Sequence, residues 1–185
     1  MIAETFSFWE QQTFLNHYDV IIIGSGIVGL NAALHLKNQQ SQLKIAVLER
    51  GFLPSGASTK NAGFACFGSV TELLSEIKSF GEETVFDLVA KRIKGLKTLR
   101  ENLGDDAISF HQKGGYELFL VSDHSKTELA FSSIKYLNRL LKPHMKQPAI
   151  FTEANDKIAD FGLKGVDGLI YNSLEGQIDT GKMMK

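Results

Sequence analysis

The sequence predicts an α/β fold, and three observations carry that prediction. A β-branched run from Tyr18 to Ile23 stops abruptly at a glycine. The segment Gly24-Ser25-Gly26-Ile27-Val28-Gly29 follows directly and opens into a helical pattern. A second apolar run, Leu43 to Leu48, then ends on the acidic residue Glu49. Strand, glycine turn, helix and strand within roughly 30 residues make a βαβ unit of the Rossmann-like kind.

The first run lacks polar alternation, which suits a parallel strand buried on both faces. From Ile27 to about Asn38, the residues Leu30, Ala33, Leu34 and Leu36 fall on one apolar helix face. Residues 1–17 are polar with scattered aromatics (Phe6, Phe8, Trp9, Phe14) and read as a short lead-in helix or arm. Residues 51–69 form a long loop rich in Gly, Ser and Ala, and loops of that length are commonly functional or unstructured.

Two helices are expected near 70–79 and 82–103, the second with Phe86, Val89, Ile93, Leu96 and Leu103 at helical spacing. Its Lys91, Arg92, Lys94, Lys97 cluster reads as a solvated face, with a docking patch as the alternative. Beyond Gly104 the residues 107–112 and 115–121 look like two strands joined by a Lys113-Gly114 turn. A helix over 125–141 stops before Pro143, and short strands near 149–151 and 168–171 complete an inserted, partly antiparallel α+β segment. The tail from Gln177 to Lys185 starts a helix, capped by Asp179 or Thr180. Because that helix has so little chain left, a truncated fold is expected, the front part of a longer design.

Composition narrows the function classes. The 20 Lys+Arg and 21 Asp+Glu leave a net charge of -1, which does not favour nucleic acid as a partner. A single cysteine, Cys66, precludes an internal disulfide framework and fits a reducing compartment. As a small hydrophobe it is expected to be buried. The N-terminus lacks a basic start followed by an apolar run, and the longest apolar stretch is far too short to span a bilayer. A cytoplasmic protein is the expectation.

The chemistry concentrates in the glycine segment. Gly24 allows the tight turn, Gly26 lets the backbone approach a pyrophosphate, and Gly29 permits close helix–strand packing. The helix N-terminus offers unpaired N–H groups and positive dipole to phosphate. Glu49 lies twenty residues beyond Gly29, where a carboxylate accepts hydrogen bonds from a ribose diol and repels a 2′-phosphate. The bland alternative is a surface acid at a strand end.

An NAD enzyme normally follows its second strand with another helix crossover. Here the chain reads Gly56-Ala57-Ser58-Thr59-Lys60-Asn61-Ala62-Gly63-Phe64, a small-residue loop able to lie close against a pyrophosphate and a flavin ring. A flexible surface loop is the alternative.

At these residues a resemblance appears. The stretch from Asp19 to Gly63, with Phe8-Trp9-Glu10 ahead of it, resembles the FAD-dependent oxidoreductases of the D-amino-acid oxidase and glycine oxidase type. It is most similar to the amine-oxidising branch that includes gamma-glutamylputrescine oxidase. The late segment Glu175 to Met183 looks like that family's return from the substrate domain into the FAD domain.

The resemblance implies that Gly24, Ser25, Gly26, Ile27, Val28 and Gly29 form the pyrophosphate loop. It also implies that Glu49 binds the adenosine ribose, with Arg50 beside the adenine end. Ser58, Thr59, Lys60, Asn61, Ala62 and Gly63 would line the pyrophosphate and flavin. Lys60 stands where relatives often carry arginine, so a forked planar donor set is replaced by a point charge.

The implied organisation is an FAD-binding part over 1–105, part of a substrate domain over 106–174 and a return into the FAD domain over 175–185. The implied activity is oxidation of a C–N bond in an amine or amino acid, with hydride passing from the substrate α-carbon to flavin. The substrate residues of such enzymes lie beyond Lys185, so no catalytic residue is assigned, nor an oligomeric state. A non-catalytic FAD- or ADP-binding fragment is the alternative, and an NAD-linked dehydrogenase a weaker one.

Other motifs fail on chemistry. Gly176 with Gly181-Lys182 mimics a P-loop but places Met183 where a Ser or Thr must hold magnesium. The five histidines show no i, i+4 pair, so no metal site is expected. No GxSxG nucleophile elbow occurs.

Overall fold

A computed structural model describes residues 6–13, 17–144 and 149–185. Residues 1–5 and 14–16 of the predicted lead-in arm, Phe14 among them, lie outside the described residues. The chain forms two compact units, residues 1–61 with 184–185, and residues 62–183.

The first unit contains α1 (Phe8–Thr13), β1 (Val20–Ile23), α2 (Ile27–Gln39) and β2 (Ile45–Leu48). A reciprocal capping box starts α1: Ser7 N–H donates to Glu10 Oε2 at 2.8 Å, and Glu10 N–H donates to Ser7 Oγ at 3.2 Å. The strands β1 and β2 pair in parallel, Val20 opposite Ile45 and Ile23 opposite Leu48. The predicted βαβ unit is therefore present.

Burial of β1 on both faces is not. Ile21 is 57% exposed and Ile23 89% exposed, while Val20 and Ile22 are half-buried. The physical reason is that α2 covers one face only: Ile22 turns toward Gly29 of α2, and its two neighbours turn away. Along α2, Leu30, Ala33 and Leu36 are half-buried, whereas Leu34 is exposed, so the apolar stripe is narrower than expected.

The second unit holds β3 (Phe64–Ala65), α3 (Val70–Phe80), α4 (Glu82–Leu103), β4 (Gly115–Leu120), α5 (His124–Leu141), β5 (Phe151–Glu153), α6 (Lys157–Asp160), β6 (Val166–Asn172), β7 (Gly176–Gln177) and α7 (Thr180–Met183). An antiparallel sheet in the order β4-β6-β5 is its centre. Val70 and Leu73 of α3, Val89 of α4, Leu137 of α5, Phe151 and Ile170 form a core beside it. Asn138 ties α5 to β5: its Oδ1 accepts from the N–H groups of Ile150 and Phe151, each at 2.9 Å, and its Nδ2 donates to Phe151 O.

The predicted hairpin of 107–112 with 115–121 does not form. Residues 105–109 are turn, and only His111 makes an isolated bridge, to Gln177. Two local features break the strand: Arg100 holds Asp105 by two hydrogen bonds of 2.8 Å, and Ser109 adopts φ +49°. Its expected partner β4 pairs with β6 instead, Tyr116 opposite Tyr171. Within the predicted 51–69 loop, β3 pairs antiparallel with β7. Asp179 caps α7 as expected, its Oδ1 accepting from Lys182 N–H at 2.9 Å.

Two single-residue expectations also change. Cys66 is exposed. It sits between the buried residues Ala65 and Phe67, and alternation at the end of β3 turns its side chain out. Arg92 is not part of a solvated face: it donates to Phe67 O at 2.9 Å and pairs with Glu76 at 3.3 Å. Its position in α4 faces the α3 side of the helix, which the charge run alone conceals.

Candidate functional site

The glycine segment is shaped by contacts that a side chain would block. Gly24 has φ +97°, a conformation that favours glycine, and its N–H donates to Leu48 O at 2.7 Å. A Cβ on Gly29 would lie 2.1 Å from Gly24 O, so only glycine lets α2 start this close to β1. A Cβ on Gly26 would stand 3.2 Å from Ser58 Oγ. The turn and packing roles expected of Gly24 and Gly29 thus each meet a physical counterpart, while Gly26 faces the Ser58 hydroxyl.

Two side chains close on this loop. Glu49 Oε2 accepts from both the N–H and the hydroxyl of Ser25, each at 3.0 Å, and Oε1 accepts from Gly51 N–H at 3.2 Å. The N–H groups of Ser25 and Gly51, followed by the Ser25 hydroxyl, hold the Glu49 carboxyl well below its ordinary value, to about 2. From the later loop, Ser58 Oγ accepts the N–H of Ile27, the first residue of α2, at 3.0 Å. Gly26 at the N-cap has no side chain to do this, so Ser58 caps the helix from thirty-one residues away.

The rest of the 56–63 loop is folded on itself. Thr59 donates its hydroxyl to Pro54 O at 2.7 Å, and Asn61 Nδ2 donates to Ala57 O at 2.9 Å and Ser58 O at 3.2 Å. Arg50 and Lys60 are exposed, and Val28 is 81% exposed. Ala62 and Gly63 belong to the second unit. There Gly63 has φ +75°, its carbonyl accepts from Ile178 N–H at 2.8 Å, and a Cβ would meet Ile178 O at 2.3 Å. Thus Gly24 to Gly29, Glu49 and Ser58 are brought together, Arg50 joins them only through its backbone at Glu49, and Lys60 stays exposed.

The residues fit an adenine dinucleotide in their fixed carboxylate at the end of the second strand and in a glycine turn opening a helix, although the Ile27 N–H expected to be unpaired is taken by Ser58, which also faces Gly26. When bound there, a flavin would supply the two-electron acceptor. Among the described residues no group of three His, Cys, Asp or Glu is placed to hold a metal ion, and no helix is long and apolar enough to cross a membrane.

Two polar networks in the second unit have no marker in the sequence expectations. Glu117 of β4 accepts from Ser69 Oγ at 3.0 Å, Val70 N–H at 2.9 Å and Thr71 N–H at 3.2 Å, and also from the Thr71 hydroxyl. It anchors the first turn of α3. Glu175 is partly buried and accepts from Asn172 Nδ2 at 3.0 Å. Burial pushes the Glu175 carboxyl up, against the lowering by Asn172 and with the charges of Glu117 and Glu72. Both acids line a cavity of about 180 Å³. Ser69-x-x-Glu72 was a legible capping signal for α3, with Glu72 N–H donating to Ser69 Oγ at 3.4 Å. Nothing local announces Glu117, which lies 48 residues from Ser69.

Known proteins bear on this geometry. A probable oxidoreductase OrdL of Haemophilus influenzae is 29% identical over 117 residues, 63% of this chain and 27% of that protein. Glycine oxidase from Bacillus cereus superposes with a TM-score of 0.55 at 21% identity, over 91% of this chain and 43% of the oxidase. Iminodiacetate oxidase from Chelativorans superposes at 0.58 and 19% identity, over 89% of this chain and 42% of that enzyme. These structural likenesses are of fold, and the chain spans less than half the length of each protein. The profile of the family DAO, FAD dependent oxidoreductase, matches residues 19–185. The chain belongs to the DAO family of FAD-dependent oxidoreductases.

Proposed function

We propose that this chain supplies the nucleotide-binding part of an FAD-dependent oxidoreductase that oxidises a C–N bond in an amine or amino acid. The observation that carries the reading is the convergence of Ser25, Glu49 and Ser58 on one glycine loop at the start of α2. The loop from Gly24 to Gly29 lies against the pyrophosphate, with the N–H groups of Gly24, Ser25 and Ile27 already given to Leu48, Glu49 and Ser58, and Glu49 accepts from the adenosine ribose. Arg50 stands at the adenine end, and Ser58 to Gly63 line the pyrophosphate and flavin. The small-molecule class follows from the relatives, whose names include glycine oxidase, iminodiacetate oxidase and L-amino acid deaminase.

In functional terms the chain divides into an FAD part over 1–105, substrate-domain residues over 106–174 and a return over 175–185. This differs from division by packing, since α3 and α4 share a core with α5 and β6. The chain's own residues bind and orient the cofactor: the dipole at the start of α2 attracts phosphate, and the Ser58 hydroxyl beside Gly26 is a donor to it. The single exposed cysteine and the net charge of -1 fit a reducing, cytoplasmic setting without a polyanionic partner.

The test is titration of the purified protein with FAD, read by quenching of flavin fluorescence, with NADH as the competing probe. Saturable FAD binding that NADH does not displace supports the reading. FAD binding without turnover of any amine identifies the chain as a cofactor-binding portion. Failure to bind FAD or ADP at all overturns the proposal.

A further inference from the structure

We infer that Ser25 sets the preference of this site for an unphosphorylated ribose, by fixing the Glu49 carboxylate through both its backbone N–H and its hydroxyl. The inference rests on the dinucleotide reading above and assigns a role to a residue that the motif leaves free.

The two oxygens of Glu49 are engaged differently. Oε2 receives two hydrogen bonds from Ser25, both at 3.0 Å, and Oε1 receives one from Gly51 N–H at 3.2 Å. Each carboxylate oxygen accepts about two hydrogen bonds in its plane. Oε2 is therefore filled by Ser25, while Oε1 is held by Gly51 N–H, with the Arg50 backbone as a further donor to the carboxylate. A ribose hydroxyl therefore meets a carboxylate whose direction is set by the bonds from Ser25 and Gly51.

Fixation matters because the discrimination is electrostatic. A carboxylate pinned at the strand end accepts from a diol and stands against a 2′-phosphate, which has no proton to offer and carries like charge. A carboxylate free to rotate can turn its charge toward solvent and lose that repulsion. Ser25 acts through Glu49 and is a positioning residue.

The experiment is calorimetric titration of the purified chain with ADP and with 2′-phospho-ADP, for wild type, Ser25→Ala, Ser25→Thr, Glu49→Gln and the Ser25→Ala/Glu49→Gln double variant. Ser25→Ala keeps the backbone bond and removes only the hydroxyl, so the loop retains its fold. The expected result is an ADP preference in wild type that drops about tenfold in Ser25→Ala, the size of one charge-assisted hydrogen bond. Ser25→Thr restores it. Glu49→Gln removes the preference, and adding Ser25→Ala to it changes nothing more.

Equal weakening of both ligands by Ser25→Ala overturns the inference, because a merely structural role moves both affinities together. So does a further loss of preference in the double variant. If wild type binds ADP and Ser25→Ala keeps its preference, Ser25 fails while the dinucleotide reading stands. If wild type binds neither ADP nor FAD, that reading falls and this one with it.

Discussion

Ser58 Oγ accepts the N–H of Ile27 at 3.0 Å, so a side chain from the later loop closes the helix that the glycine segment opens. The contact joins two motifs that are separate in sequence, and it leaves the Ser58 hydroxyl proton to donate outward. A phosphate oxygen placed there would receive that proton in place of the Ile27 N–H, which Ser58 already holds.

Ser58→Ala removes both effects. Its expected cost is about 1 kcal/mol of stability, the usual penalty for losing an N-terminal cap. Urea denaturation measures that loss, and titration with FAD measures a parallel fall in affinity. Unchanged stability together with unchanged affinity would show that Ser58 neither caps α2 nor meets the ligand.

Gly29→Ala tests the packing of the loop. The new Cβ would lie 2.1 Å from Gly24 O and 3.2 Å from Ile22 Cγ2, so either α2 or the turn at Gly24 must shift. Overpacking of this kind costs on the order of 1–3 kcal/mol. Soluble yield and the urea midpoint should both fall, and ADP affinity should fall with them because the N–H groups of the loop move. A wild-type midpoint in Gly29→Ala contradicts the close approach of helix to strand.

How much of this was legible depends on the range over which the signals act. The turn at Gly24, the helix from Ile27 and the acid at Glu49 are specified by residues within one βαβ unit, and each appears where the spacing put it. The family was legible for the same reason, since its markers at 24–29, 49–50 and 56–63 lie close together in sequence. The strand expected over 107–112 failed because its apolar residues serve a different end. Ile108 and Phe110 are buried in a small cluster with Ala65, while the backbone between them turns at Ser109. Their burial is that of a core segment, but the conformation is not that of a strand. The partner of β4 is set by packing across some fifty residues, which no local pattern records.

Glu117→Ala probes such a long-range contact. The carboxylate receives the N–H groups of Val70 and Thr71, the first residues of α3, together with two hydroxyls. Its loss leaves partly buried donors without their acceptor, at a cost of about 2–3 kcal/mol. Glu117→Gln keeps one acceptor oxygen and should lose less. Hydrogen exchange of the Val70 and Thr71 amides gives the local readout. Protection as in wild type in Glu117→Ala would mean that Ser69 alone holds the start of α3.

Glu175→Gln carries a pH signature of definite sign. Burial raises the folded carboxyl above its ordinary value, and the charges of Glu117 and Glu72 add to that rise, so the protonated form fits the fold better than the charged one. A raised folded pKa contributes stability that is fully present below the unfolded value and is lost as pH rises through the folded value. Wild type therefore carries an ionisation penalty at neutral pH that the neutral glutamine lacks. Gln at 175 can still accept from Asn172, whose Nδ2 lies 3.0 Å from the present carboxylate. Glu175→Gln should melt above wild type at pH 7, and the gap should close as pH falls below the ordinary carboxyl range. Thermal melts between pH 3 and 8 measure it. A gap that is constant across that range, or that widens toward acid, would place the charged form of Glu175 as the stabilising one and reverse the argument.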